Sequence, residues 1–219
     1  VSDAEDPRES RPMKPLARAV RSDGPKAHGP RAAKAMEKIL DAAERLFALY
    51  GIEGTALRQI LIAAKQRNRY AISLYFGGKD DLIGAVITRR MEQMNVRRRG
   101  MIAEAETAGM LGDVRTLLEI TYRPMAEVAD STGQYTYARF LHQTLLYRGI
   151  SSRWPIVPPE VAGPNLDIAR RLHEQTGGFS KAKFDRHIEA VAGLYLASMS
   201  ARGLAVAQRQ RVAPFEVFF

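Results

Sequence analysis

The chain contains no cysteine, so disulfides, thiolate metal sites and cysteine nucleophiles are all excluded. Long apolar runs are missing as well. The most membrane-like stretch, AVAGLYLASMSA at 190–201, is bounded by Glu189 and Arg202. It falls short of the about 20 apolar residues needed to span a bilayer. The first six residues hold three acids and no apolar segment, which predicts no secretory signal. No segment alternates with a period of two over a useful length, so no sheet is expected. There is no glycine-rich phosphate loop and no paired acidic motif. The four histidines (His28, His142, His173, His187) are scattered. Little remains from which to build a catalytic or metal site, and no cofactor is expected. These absences predict a soluble, non-enzymatic, all-α protein suited to a reducing cytoplasm.

What is present is ordinary in bulk and uneven in distribution. With 219 residues, 46% of them apolar and 26% charged, the chain is long enough for one small and one larger helical unit. The net charge is +9, and residues 31–100 hold fourteen Lys/Arg against seven Asp/Glu, so +7 of it lies on one third of the chain. Such a partition suits a module that meets a polyanion. Membranes are polyanionic too, so charge alone does not select DNA.

Residues 1–30 carry five prolines and two glycines, and read as an arm without a core of its own. The basic residues Arg11, Lys14, Arg18, Arg21 and Lys26 suit a minor groove or phosphates. They equally suit a solvated tail. A first helix is predicted from about Ala32 to Tyr50, with Ile39, Leu40, Ala43, Leu46, Phe47 and Tyr50 on one face and Gly51 ending it. Thr55 reads as the N-cap of a second helix over about 56–64. A polar break at 65–68 and a third short helix at about 69–75 follow. Lys79-Asp80-Asp81-Leu82 then opens a long helix running to about Ala105, its acids placed where the helix dipole favours them. Further helices are predicted at about 113–130, 134–149, 165–176 and 181–210, with Trp154-Pro-Ile-Val-Pro-Pro as a loop.

Two short helices joined by a few polar residues and packed on a third make a helix-turn-helix, whose second member must leave one face polar for the major groove. Gln66, Arg67, Asn68, Arg69, Tyr70 and Ser73 supply that face, and Arg, Asn and Gln can contact G and A edges bidentately. The run Ile39-Leu-Asp-Ala-Ala-Glu-Arg-Leu-Phe-Ala-Leu-Tyr-Gly-Ile-Glu-Gly-Thr-Ala-Leu-Arg-Gln-Ile, continued through Ala63 to the Phe-Gly-Gly-Lys-Asp-Asp-Leu ending at residue 82, resembles the DNA-binding domain of the TetR family. The resemblance covers about 45 residues. It implies phosphate contacts at Thr55 and Lys79, and base and phosphate contacts at Arg67, Asn68, Arg69, Tyr70 and Ser73. Arg58, Lys65, Gln66 and Tyr75 complete the candidate DNA-binding set. Three positions depart from the family: Leu74 stands where a Tyr is usual, Tyr75 where a His is frequent, and Lys65 where a small, Gly-like residue is usual.

The resemblance also implies that residues 31–82 form the head and that 83–219 form a helical unit which dimerises and takes up a small effector. Its implied function is a homodimeric, sequence-specific transcription regulator, a repressor released by that ligand. For the dimer face the candidates are Val191, Gly193, Leu194, Tyr195, Ala197, Ala201 and Ala205, because a row of small residues at spacing four admits a second helix. The same row also suits an internal core helix. For an apolar pocket the candidates are Met94, Met101, Tyr122, Met125, Phe140, His142, Tyr147 and Trp154. Each is equally readable as plain core. The rival reading is a helical protein that binds nucleic acid without sequence preference through the basic segment alone.

Overall fold

A computed structural model describes residues 29–127, 134–148 and 157–212. The arm before Gly29 and the candidate Trp154 lie outside these residues. Among the described residues every regular element is a helix: α1 Pro30–Tyr50, α2 Leu57–Ala63, α3 Ala71–Tyr75, α4 Lys79–Thr107, α5 Val114–Glu127, α6 Thr136–Arg148, α7 Pro159–Glu174 and α8 Lys181–Ala207. The all-α expectation holds.

Pro30 begins α1 at a position where its missing N–H costs nothing, and Gly51, at φ 76°, ends it. The face toward the core carries Ile39, Leu40, Ala43 and Phe47. Tyr50, expected on that face, is exposed. Thr55 is not the N-cap of α2. That place falls to Ala56, whose N–H donates to Gln59 Oε1 at 2.8 Å. The Thr55 hydroxyl turns back instead and donates to Gly51 O at 2.7 Å and Leu46 O at 3.2 Å, satisfying carbonyls at the end of α1.

α4 is one helix from Lys79 to Thr107, so the boundary expected at residue 82 falls inside it and both units share it. Its first half, with Leu82, Ile83, Val86 and Ile87, joins an apolar cluster containing Ile39, Phe47, Ile60, Phe140, Leu196 and Met199. Its second half, with Met101 and Ala105, joins a separate cluster with Leu117, Ile120, Ile168, Leu172 and Phe184. The first cluster ties the head to α6, where the Phe140 ring lies 6.1 Å from Phe47. α6 in turn packs against α8. Gly203 of α8 admits no side chain, since a Cβ there would meet Gln134 O at 2.0 Å.

Prolines misled the reading of α7, which starts six residues before the expected 165. Pro159 occupies a first-turn position and Pro164 sits inside the helix. The carbonyl that Pro164 cannot serve belongs to Glu160, an exposed first-turn residue. α8 also differs from expectation. Over its 27 residues it is long and apolar enough to cross a membrane by length and composition alone, which the 190–201 run is not. It packs on α6, and the Tyr195 hydroxyl donates to Tyr122 O at 2.9 Å.

Candidate nucleic-acid interface

The turn between α2 and α3 is built by backbone hydrogen bonds and one strained residue. Gln66 N–H donates to Leu61 O at 2.8 Å and Lys65 N–H to Ile62 O at 3.0 Å. This pair of bonds closes a helix with a left-handed residue at its end, the usual place of glycine. Lys65 takes that place with φ 54°. The family's small residue at this position thus has a steric reason, and Lys65 bears the cost of departing from it.

Beyond the turn, the apolar and polar residues separate cleanly. Ala71 and Ile72 are buried, whereas Arg67, Asn68, Arg69, Tyr70, Ser73 and Leu74 are exposed. Asn68 Oδ1 accepts from Tyr70 N–H at 2.9 Å, holding the start of α3. The Arg69 guanidinium lies over the Tyr70 ring at 4.7 Å, an arrangement that orients both side chains outward. Gln66 is partly buried, with Nε2 donating to Ala64 O at 3.2 Å. Arg58 and Lys65 are exposed nearby. None of Arg58, Lys65, Arg67 and Arg69 takes part in an ion pair among the described residues. Lys38 and Arg45 of α1, not among the expected DNA contacts, join Lys65 and the acid Asp41 around a groove of about 440 Å³ beside the turn.

Three expected contacts sit differently. Thr55 is 1% exposed and its hydroxyl is occupied by carbonyls, so it offers no hydroxyl to a phosphate in this conformation. Lys79 is half-buried. Its ammonium donates to Thr55 O at 2.8 Å and lies 5.8 Å from the Phe47 ring, joining the start of α4 to the loop before α2. Tyr75 packs partly against the core, edge-on to Phe76, while Leu74 is the exposed one of the pair at 64%. Gly77 must be glycine here: φ is 98° and a Cβ would meet Asp81 Oδ2 at 2.7 Å.

The basic count of the segment is only partly presented to solvent. Arg90 grips Glu44 through both carboxylate oxygens at 2.7 Å. Arg89 reaches Asp41 at 2.7 Å, Glu37 at 3.0 Å and Glu44 at 3.3 Å. These bonds lock α4 to α1. Hydrogen bonding to Glu44 raises the Arg90 pKa further above its ordinary value.

Among the pocket candidates Met94, Met101, Tyr122 and Phe140 are buried, and Met125 and His142 partly so. Phe140 stacks with Phe47 and Tyr137 as core. Tyr147 is exposed on α6 and so does not line an interior. Among the dimer candidates, Val191, Leu194 and Ala201 are exposed, whereas Gly193, Tyr195, Ala197 and Ala205 are partly buried. Gly193 faces Leu145 of the same chain, and Tyr195 turns inward to Tyr122, with the rings 4.7 Å apart. Burial pushes the Tyr122 phenol up to about 12.

Residues 39–86 match the family model described as bacterial regulatory proteins, tetR family. A search of curated proteins returns no match. Among solved structures, the chain is similar to a Mesorhizobium loti protein described as a candidate TetR-family transcriptional regulator. Identity is 18%, the match covers 78% of this chain and 98% of that one, and the TM-score is 0.35. So distant a likeness carries no weight, and the family match covers residues 39–86 alone.

Proposed function

We propose, for a chain whose residues 39–86 carry the DNA-binding head of the tetR family of bacterial regulatory proteins, a cytoplasmic repressor that binds a palindromic operator as a homodimer and is released by a small effector. One observation carries the DNA reading: an apolar head core turns Arg58, Lys65, Arg67 and Arg69 outward around a helix-turn-helix, without internal counter-charges. Arg67, Asn68, Arg69 and Ser73 would meet base edges and nearby phosphates. Arg58, Lys65, Lys38 and Arg45 would meet the backbone, which sets register without reading sequence. Exposed Leu74 suits the methyl group of a thymine.

Support for the dimer comes from α8. Val191, Leu194 and Leu204 are exposed apolar side chains on it, with Ala201 between them. A contiguous apolar stripe of this kind is costly in water and is relieved by a second copy. Two copies would present two heads to one palindrome.

Selection of bound duplexes from a random pool, followed by sequencing, tests this reading. The expected result is a palindromic consensus whose half-sites lie about one helical turn apart. Binding without a consensus, falling steeply with salt, would instead establish a non-specific nucleic-acid binder.

A further inference from the structure

The gap between the two apolar clusters is polar. On α4, Met94 belongs to the first cluster and Met101 to the second, and between them stand Asn95 and Arg98, both buried. Arg98 is 1% exposed. Its Nη1 donates to Asn95 Oδ1 at 2.5 Å, its Nε to Ile120 O at 3.3 Å and its Nη2 to Thr121 O at 3.2 Å. Every one of these acceptors is neutral. Among the described residues no carboxylate pairs with Arg98, although a little over two turns earlier on the same helix Arg90 and Arg89 have Glu44, Asp41 and Glu37. Desolvation lowers the Arg98 pKa to about 10, which reflects a charge buried without compensation.

Part of this arrangement is structural. Pro124 lies inside α5 and has no N–H, so the carbonyl four residues back, Ile120 O, lacks its helical donor. Arg98 supplies one. A neutral amide would serve that carbonyl equally well, so the proline does not account for the charge. Guanidinium carries five N–H groups, and three are used by the partners above.

A second orphan lies at the same level. The buried side chains of α7 are Val161, Ile168 and Leu172; Asn165 is half-buried, and its Oδ1 is a buried atom with no hydrogen-bond partner. Val161 O accepts from Asn95 Nδ2 at 2.7 Å, and Ile168 shares the second cluster with Met101. Along α7, Asn165 falls between these two contacts, as Arg98 does along α4. A buried cation without a carboxylate and a buried acceptor without a donor thus fall between the same two contacts of α4 with α7.

We propose that this layer between α4, α5 and α7 receives an organic anion, a carboxylic acid with an apolar body, whose acid group pairs with the Arg98 guanidinium. A hydroxyl on that body would donate to Asn165 Oδ1. The proposal rests on the effector-controlled regulator described above and names the effector's chemical class. It adds an acid group to the effector that an apolar pocket implies. The layer also has an electrical neighbour toward the head. The fully buried Tyr137 phenol lies within electrostatic reach of Arg98, Arg90 and Glu44. Neutralising Arg98 changes the field on the Arg90–Glu44 tie that joins α4 to α1.

The test uses the full-length chain and the duplex recovered by selection. Decanoate, 3-hydroxydecanoate and salicylate are each compared with an uncharged counterpart (decanol, 1,3-decanediol, salicylamide), and sodium phosphate serves as the inorganic arm. Melting temperature and duplex affinity are read together. At least one organic acid should raise melting by about 5 °C or more near saturation and weaken duplex binding at least tenfold, with its neutral counterpart and phosphate inactive. Arg98→Gln should bind the duplex and lose the response, whereas Arg98→Lys should keep a weakened one. If Arg98→Gln does not fold, the acid-against-neutral comparison on the unaltered chain still decides. Acids no better than their neutral counterparts, phosphate as good as the acids, no response to any probe, or an undiminished response in folded Arg98→Gln would each overturn the anion site. Release by neutral compounds alone would do so while leaving effector control standing. A chain that prefers no duplex would strike the regulator reading, and the melting comparison would then judge the anion site by itself.

Discussion

The head and the bundle behind it distribute charge in opposite ways. In the head, the interior is apolar, and Arg58 of α2 and Lys65, Arg67 and Arg69 of the turn point outward without acid partners. In the bundle, Arg98 and Asn95 lie inside, and Leu194, Val191 and Leu204 lie outside. An outward cation costs the fold almost nothing and remains available to a polyanion. An inward cation destabilises the fold unless something neutral or anionic embraces it. An outward apolar stripe calls for a like surface. The two regions thus point to three different partners: DNA, a small anion and a second copy.

Substitutions that interchange these environments test the contrast. The largest effect is expected at Glu44, which is buried and shared by Arg89 and Arg90. Glu44→Leu removes the common acid, leaves two guanidinium groups in a poorly solvated seam and should cost about 3–5 kcal/mol in urea unfolding. Arg67→Ala, on the exposed turn, should stay within about 0.5 kcal/mol of the parent. Equal stability losses at the two sites would erase the difference between inward and outward charge.

Next comes Leu194, 72% exposed on α8. Leu194→Glu should convert the proposed dimer to monomer in sedimentation equilibrium, since each copy would forfeit about 1.5–3 kcal/mol of side-chain burial and gain a like charge across the seam. An unchanged mass would remove α8 from the interface. The smallest effect is expected at Lys65. Lys65→Gly relieves the φ 54° backbone and should stabilise folding by about 1 kcal/mol. It should also lower the salt slope of duplex binding by about 1, through loss of one phosphate contact. Opposite signs in the two assays are the signature sought.

Much of the head was legible in the sequence because α1, α2 and α3 each bury a single face, so apolar spacing reports packing directly. The partition of basic residues was also readable, though it overstated what DNA can meet: Arg89, Arg90 and Arg98 serve the interior. Glu44, the acid shared by Arg89 and Arg90, lies about 45 positions away along the chain, and spacing within one helix carries no information on such a pair. Arg98 did leave a trace. It falls in register with Met94, Met101 and Ala105, the buried positions of α4, where a solvated arginine would not be placed. α4 as a whole resists periodic analysis because its two halves pack on different neighbours. Pro159 and Pro164 hid the start of α7, since a proline ends a helix from its interior yet is welcome in its first turn. The hydroxyl of Thr55 was misdirected for a simpler reason: a threonine beside a helix start has two ends to choose between, and it closes α1.

The central claim is that outward-facing side chains after Gln66 read base edges. Its most direct test is fluorescence anisotropy on the selected operator and on a scrambled duplex of equal length, at matched salt, for the parent chain and Arg67→Ala. The parent should prefer the operator by about a thousandfold or more. Arg67→Ala should lose about 1–3 kcal/mol on the operator and far less on the scrambled duplex. Equal losses on both duplexes, or no preference in the parent, would contradict the claim.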